Sequence, residues 1–202
     1  MKLIGLSGRK QSGKDTVASM IEELVLGPVA KIAFADALKH EVCKLLGVTR
    51  EEIEADKARF RGILQWWGTE WRRNENRYYW IEQLDVAVDC ARKGGAKLTI
   101  ITDCRFPNEA DYVKSKGGIV VRVDRPTNSQ DTHTSETAMD DYAFDGTIYN
   151  YGSLGYLKLN VMRFCERLAG DGGLFTQITL PPPEAVVASF MAQVDQENAL
   201  PG

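Results

Sequence analysis

Residues 8–16 read GRKQSGKDT, and their reading decides the fold. Gly8, Gly13 and Lys14 fall where the phosphate-cradling pattern G-x-x-x-x-G-K-[ST] requires them. The apolar run Lys2–Leu6 comes immediately before. Val17, Met20, Ile21, Leu24 and Val25 then share one face of a helix that starts inside the loop, so the stretch sits between a strand and a helix as the pattern demands. Glycines let backbone N–H groups turn inward and the helix N-terminus adds positive potential, so the β- and γ-phosphates of a nucleotide fit there, bridged by Lys14. One position departs from the pattern. The hydroxyl that usually holds magnesium after the lysine is replaced by Asp15, and the hydroxyl moves to Thr16.

The rest of the chain bounds what such a loop can serve. At 202 residues there is room for one α/β domain with embellishments. With 25 basic and 28 acidic residues there is no global field to recruit a nucleic-acid polymer or an anionic membrane, so anion binding must be local. No apolar run approaches the roughly 20 residues of a membrane span. Strand-like sequence begins almost at the first residue, which leaves no room for a signal peptide. Cys43, Cys90, Cys104 and Cys165 are widely spaced and suggest neither zinc nor a disulfide framework. The expectation is a cytoplasmic, reduced protein.

Five buried-strand candidates stand out: Lys2–Leu6, Ala30–Phe34, Lys97–Thr102, Gly118–Val123 and Gly146–Tyr149. Helical periodicity lies between or after them in Leu38, Val42, Leu45 and Leu46; in Trp80, Ile81, Leu84, Val88 and Ala91; and in Leu154, Leu157, Val161, Phe164 and Leu168. Strands separated by helices predict a central five-stranded parallel sheet flanked by helices. Residues 47–78 are too long for a simple crossover and read as an insertion. Residues 124–142 are polar and turn-rich and read as a lid loop. The domain is expected to span 1–170. The extension 171–202 carries an amphipathic pattern of Val186, Val187, Phe190, Met191 and Val194, suited to packing on the domain or on a second copy in a homodimer.

Phosphoryl transfer to a small acceptor needs cations around both phosphoryl groups and a way to exclude water. Arg59, Arg61, Arg72, Arg73 and Arg77 lie in the insertion among Gln65, Thr69, Glu70, Trp66, Trp67 and Trp71. Guanidinium forks suit a phosphate monoester, and aromatic and amide groups suit a base. The same composition also describes a solvated charged helix pair over buried tryptophans. The third strand ends in TDCRFPNE, placing Asp103 where magnesium or its waters can be held and Arg105 on the same sheet edge. Asp103 can equally cap a helix. Arg122, Arg125 and the loop His133-Thr134-Ser135-Glu136 read as a lid that supplies charge when it closes.

Taken in order, GLSGRKQSGKDT, FADALK, RGILQWWGTEWRR, TDCRFPNEAD, HTSE and DGTIYNYGSL resemble the phage deoxynucleoside monophosphate kinases of the P-loop nucleoside monophosphate kinase fold, from Met1 to about Leu168. The G-K-D-T loop variant matches Lys14, Asp15 and Thr16. The acceptor segment matches Arg61, Leu64, Gln65, Gly68, Thr69, Glu70 and Arg73, and the D-x-R-F-P-N-E segment matches Asp103, Arg105 and Glu109. The resemblance implies transfer of the ATP γ-phosphoryl group to a deoxynucleoside 5′-monophosphate (dNMP), with magnesium, in a host cytoplasm.

On that reading ATP lies on Gly8, Gly13, Lys14, Asp15 and Thr16, with Asn150 and Gly152 near its adenine. Magnesium is held by Thr16 or by waters on Asp15 and Asp103. The dNMP sits between Asp36, Lys39 and the insertion residues Arg61, Gln65, Thr69, Glu70 and Arg73, with Arg105 and Glu109 at its phosphate end. Lys14, Arg105, Arg122 and Arg125 carry catalysis, and His133, Ser135 and Glu136 form the lid. Two other readings compete: a kinase for a base-free phosphorylated acceptor, resembling phosphomevalonate kinases, and a non-catalytic ATP-binding module. No guanine-reading N-K-x-D motif is present, which argues against a GTPase switch.

Overall fold

The computed structural model describes residues 1–126, 132–169 and 174–175. The expected apolar pattern at 186–194 and part of the expected lid, 127–131, lie outside the described residues. Five strands, β1 (Lys2–Ser7), β2 (Val29–Ile32), β3 (Leu98–Cys104), β4 (Ile119–Asp124) and β5 (Gly146–Tyr149), form one all-parallel sheet in the order β2-β3-β1-β4-β5. The order puts β1 at the centre, so the loop that follows it opens between the ends of β3 and β4. All five expected strands are found, within a few residues at each end.

Side chains alternate across the pleat, and both faces are covered because both are apolar. Helices α1 (Lys14–Leu24) and, at the C-terminal end, Leu154–Ala169 close one face: Val17, Ile21, Leu157 and Val161 pack on Ile4, Leu6, Ile100 and Val121. The opposite face carries α2 (Phe34–Leu46) and the segments Tyr79–Lys93 and Pro107–Ser115. There Phe34, Trp80, Leu84, Val88 and Val113 pack on Leu3, Ile101 and Val120. No helix among the described residues is long and apolar enough to cross a membrane.

Two boundaries differ from the sequence expectation. The second strand stops at Ile32, and Phe34 already begins α2. The reason is tertiary: the carboxylate of Asp103, at the end of β3, accepts the N–H groups of Phe34 at 2.7 Å and Ala35 at 2.9 Å. A helix start becomes favourable where free N–H groups meet a carboxylate. The Pro107–Ser115 helix was not expected, yet its signal is local. Pro107 occupies the first turn, and Glu109 reaches back to the N–H groups of Phe106 at 3.2 Å and Arg105 at 2.7 Å.

The 47–78 insertion folds as α3 (Arg50–Ala55), α4 (Lys57–Gln65), a π-helical stretch Trp66–Trp71 and α5 (Arg72–Glu75), after which α6 (Tyr79–Lys93) returns to the sheet. It packs on α2 through a small core of Val42, Ile53 and Phe60. Glu41 on α2 pins its wide turn: the carboxylate accepts Trp67 Nε1 at 2.8 Å, Arg72 Nε at 2.9 Å and the Tyr79 hydroxyl. Burial pushes the Glu41 pKa up, but these hydrogen bonds outweigh it and the carboxyl titrates lower than usual. The Arg72 guanidinium also lies over the rings of Trp67 and Tyr79. The remaining helices are α7 (Pro107–Ser115), α8 (Thr134–Thr137) and α9 (Leu154–Ala169).

Because the core that joins the insertion to α2 is distinct from the two clusters on the sheet, Ile53→Ala is expected to loosen the insertion while the sheet survives. Truncating a buried isoleucine costs about 2–5 kcal/mol. Hydrogen exchange should accelerate across residues 47–75, with β1 and β3 still protected; uniform loss of protection would show that the insertion is not a separate unit.

Candidate functional site

The loop after β1 turns through backbone that side chains avoid. Gly8 has φ 141° and Gly13 has φ 96°. Space reinforces the choice: a Cβ on Gly8 would come 2.4 Å from the Val123 carbonyl oxygen, and one on Gly13 would come 2.6 Å from Asn150 Nδ2. Asn150 donates through that nitrogen to the Ser12 carbonyl at 2.8 Å. It is therefore a buried brace behind the loop, whereas the sequence reading put it beside adenine. Gly152 is exposed, next to Tyr156.

Lys14 folds over the loop and donates to the carbonyls of Gly8 at 2.7 Å and Arg9 at 3.0 Å. Burial and the nearby Arg105 charge lower its pKa to about 8, against the pull of Glu136 and Asp103. Asp15 and Thr16 are exposed in the first turn of α1. Among the described residues no cluster of His, Cys, Asp and Glu could by itself hold a metal ion. Both oxygens of Asp103 accept N–H groups at the start of α2, and the residue also lines the cavity on the β3 side of the loop. Burial raises its pKa, opposed by the Ala35 N–H and Arg105.

On the β3 side of the loop lies a cavity of about 250 Å³, close to the lower end of the roughly 300–1,000 Å³ typical of small-molecule sites. Phe34, Leu38, Ile53, Leu64 and Trp80 give it apolar walls, and Arg61, Arg73 and Arg105 line its cationic part. Gln65 and Thr69 also line it, and neither side chain hydrogen-bonds another described residue. The insertion thus brings together the expected Arg61, Gln65, Thr69 and Arg73, joined by Lys39 from α2.

Other expected contacts are occupied within the protein. Asp36 accepts the Ala33 N–H at 3.0 Å and pairs with Arg50, while Lys39 pairs with Glu54. Glu70 turns away from the cavity toward His133 Nε2 at 3.0 Å. Glu109 is 1% exposed and pairs with Arg73, whose guanidinium lies 3.9 Å from the centre of the Phe106 ring. It holds Arg73 in place and also lines the same cavity. Its pKa is raised by burial and pulled back by Arg73.

Arg122 and Arg125 stand on the β4 side. With Arg9 and Ser12 they border a separate cavity of about 220 Å³, and Arg122 also lines the space beside Gly8, Arg9 and Arg105, on the side of the loop where its charge was expected. Ser12 Oγ, within the loop, is buried without a hydrogen-bond partner among the described residues. Between the two cavities sit Arg105 and Glu136, which line both the large cavity and the space beside Gly8 and Arg9. Glu41 and the Arg9–Asp140 pair, at 2.6 Å, were not singled out from the sequence. Neither belongs to a local pattern, because each joins residues far apart in the chain.

A parallel sheet of this order, with a phosphate cradle at the end of its central strand and a second cavity across one arginine, defines a P-loop kinase. The model of the deoxynucleotide monophosphate kinase family matches residues 45–161. A protein of Acanthamoeba polyphaga mimivirus that carries the name of such a kinase is 36% identical over 167 residues, covering 69% of this chain and 82% of the viral one. The chain belongs to the deoxynucleotide monophosphate kinase family. Among solved structures it is similar to TT1252 of Thermus thermophilus, at TM-score 0.49 and 17% identity over 85% of this chain and 98% of that one. Shikimate kinase of Aquifex aeolicus aligns at TM-score 0.41 and 18% identity, over 84% and 99%.

The lowered pKa of Lys14 has a sign that can be measured. A lysine that loses its proton near pH 8 loses its attraction for phosphate as pH rises through that value. ATP affinity is expected to fall between about pH 7 and 9.5, and Lys14→Arg, which stays charged throughout, should flatten the profile. Calorimetric titration across that range checks it; an unchanged slope in the arginine variant would remove Lys14 as the cause.

Proposed function

We propose that the protein transfers the γ-phosphoryl group of ATP to a deoxynucleoside 5′-monophosphate, giving the diphosphate and ADP. The observation that carries this reading is Arg105, which borders both the cradle and the insertion-walled cavity. A phosphate held in each would meet across it. A phosphate oxygen of the acceptor attacks the γ-phosphorus, the bond from that phosphorus to the β-bridging oxygen breaks, and the electron pair leaves on ADP. The acceptor phosphate is already anionic at neutral pH, so no general base is required. Positioning and charge neutralisation supply the catalysis.

Each part of the chain has a place in this reading. The cradle N–H groups and Lys14 hold the donor phosphates. The donor nucleoside extends over the β4 side, where Arg122 and Arg125 meet it as binding groups. The acceptor base lies on Leu38, Leu64 and Trp80 within reach of Gln65 and Thr69, and its phosphate is held by Arg61, Arg73 and Arg105. The apolar walls and free amide favour an acceptor with a base over a base-free one. Asp15 and Thr16, exposed in the first turn of α1, would hold magnesium with the nucleotide, and the ion would supply charge neutralisation on the phosphates. The setting we infer is the supply of DNA precursors, with phage origin implied only by the resemblance and a homodimer as the candidate assembly.

A coupled assay for ADP across the deoxynucleoside monophosphates should detect acceptor-dependent turnover. Lys14→Ala and Arg105→Ala should each lower kcat/KM by about 10²–10³ with circular dichroism unchanged. ATP hydrolysis with no acceptor requirement, or near-normal turnover in either variant, would refute the assignment.

A further inference from the structure

Glu136 has no part in the transfer as written, yet it holds a position in the site that a ligand needs. It lies in α8 and is 9% exposed. One carboxylate oxygen accepts the backbone N–H of Lys10, inside the cradle, at 2.7 Å. The other accepts the Arg105 guanidinium, with an Arg61 nitrogen 4.0 Å away. A cradle N–H and two arginines are the donors a phosphoryl group would use. Its charge also acts on Lys14, whose pKa it raises. The rest of the segment is docked by related contacts: Arg105 donates to the Ser135 carbonyl at 3.3 Å, Arg9 pairs with Asp140 at 2.6 Å, and His133 reaches Glu70.

We propose that Glu136 is a displaceable internal anion: its carboxylate fills the phosphoryl position of the empty enzyme, and substrate phosphate binds by exchanging with it. Lys14, Arg61 and Arg105 share a half-buried edge with the N-terminus of α1. Leaving that edge without an anion would be costly, so the chain supplies its own. Binding is then a swap of one anion for a more highly charged one, and the affinity measured is the difference between the two. The swap releases the contact that ties α8 to the cradle, so occupancy of the site is coupled to the docking of the segment that covers it. The geometry stands without the functional reading, but its meaning as control of phosphoryl transfer rests on that reading.

The test uses the full-length protein, inorganic pyrophosphate as the probe and pH 7, where Lys14 is charged. Glu136→Gln keeps the shape and an oxygen for the Lys10 N–H but removes the competing charge. It should bind pyrophosphate at least about fivefold more tightly than the wild type, within the usual range for coupled sites. Equal or weaker binding would overturn the proposal and make Glu136 a brace or a ligand contact. A second measurement needs no variant: pyrophosphate should speed amide exchange across residues 134–138 of the wild type. Unchanged or slowed exchange there would also overturn it. Neither arm needs an acceptor or turnover, so a wild-type protein that phosphorylates no deoxynucleoside monophosphate would sink the functional reading alone.

Discussion

The constraint on which the site depends is electrostatic. A parallel sheet directs the starts of its following helices toward one edge, so the N-termini of α1, α2 and α7 gather there with Lys14, Arg61, Arg73 and Arg105. Carboxylates of the chain itself meet this positive edge. Three carboxylates do so, two at helix starts and one on the loop before α1. Asp103 takes the N–H groups of α2, Glu109 takes those of the α7 turn together with Arg73, and Glu136 takes the cradle together with Arg105. Burial opposes the charged form of Asp103 and Glu109, while neighbouring N–H groups and arginines favour it. Asp103 holds backbone and Glu109 holds one arginine, Arg73. Glu136 differs in joining an N–H of the loop itself to Arg105, with Arg61 close by.

The position of β1 divides the edge into two chemistries. Toward β3 the insertion builds apolar walls against arginines. Toward β4 the lining is Arg9, Arg122 and Arg125 with the buried hydroxyl of Ser12. The loop between them is held by its glycines and by Asn150, which reaches from the end of β5 to the Ser12 carbonyl. A donor and an acceptor can therefore approach the same arginine from opposite sides.

The insertion is more than a wall. The π-helical turn brings Gly68 and Thr69 to the cavity, and such turns cost backbone geometry unless other contacts hold them. Those contacts are Glu41 on its three donors and the Trp80 indole N–H on the Gly68 carbonyl at 2.9 Å. None of the tryptophans that suggested a base-binding surface lines the cavity: Trp67 packs beneath Arg72 with its N–H on Glu41, Trp66 and Trp71 are exposed, and Trp80, read only as a helix residue, floors the cavity instead.

The sequence by itself determined the strands, the loop after β1 and the arginine-rich segment that comes to line the cavity, because each is written in residues close together. A period of two or 3.6, a glycine at a fixed offset, or a run such as RGILQWWGTEWRR needs no distant partner to be read. Helix α7 was also legible, in Pro107 and in Glu109 reaching back to its own start, though it was not expected. What only the tertiary structure decided is which polar groups face a ligand and which are spent on one another. Asp103, Asn150, Glu109 and Glu136 have the residue types of ligand contacts. Whether each serves a ligand or the chain depends on a partner far away: the start of α2, the Ser12 carbonyl, Arg73 or the Lys10 N–H. A buried charge is satisfied by whatever donor the fold brings to it, and that choice is set by the packing of helices on the sheet.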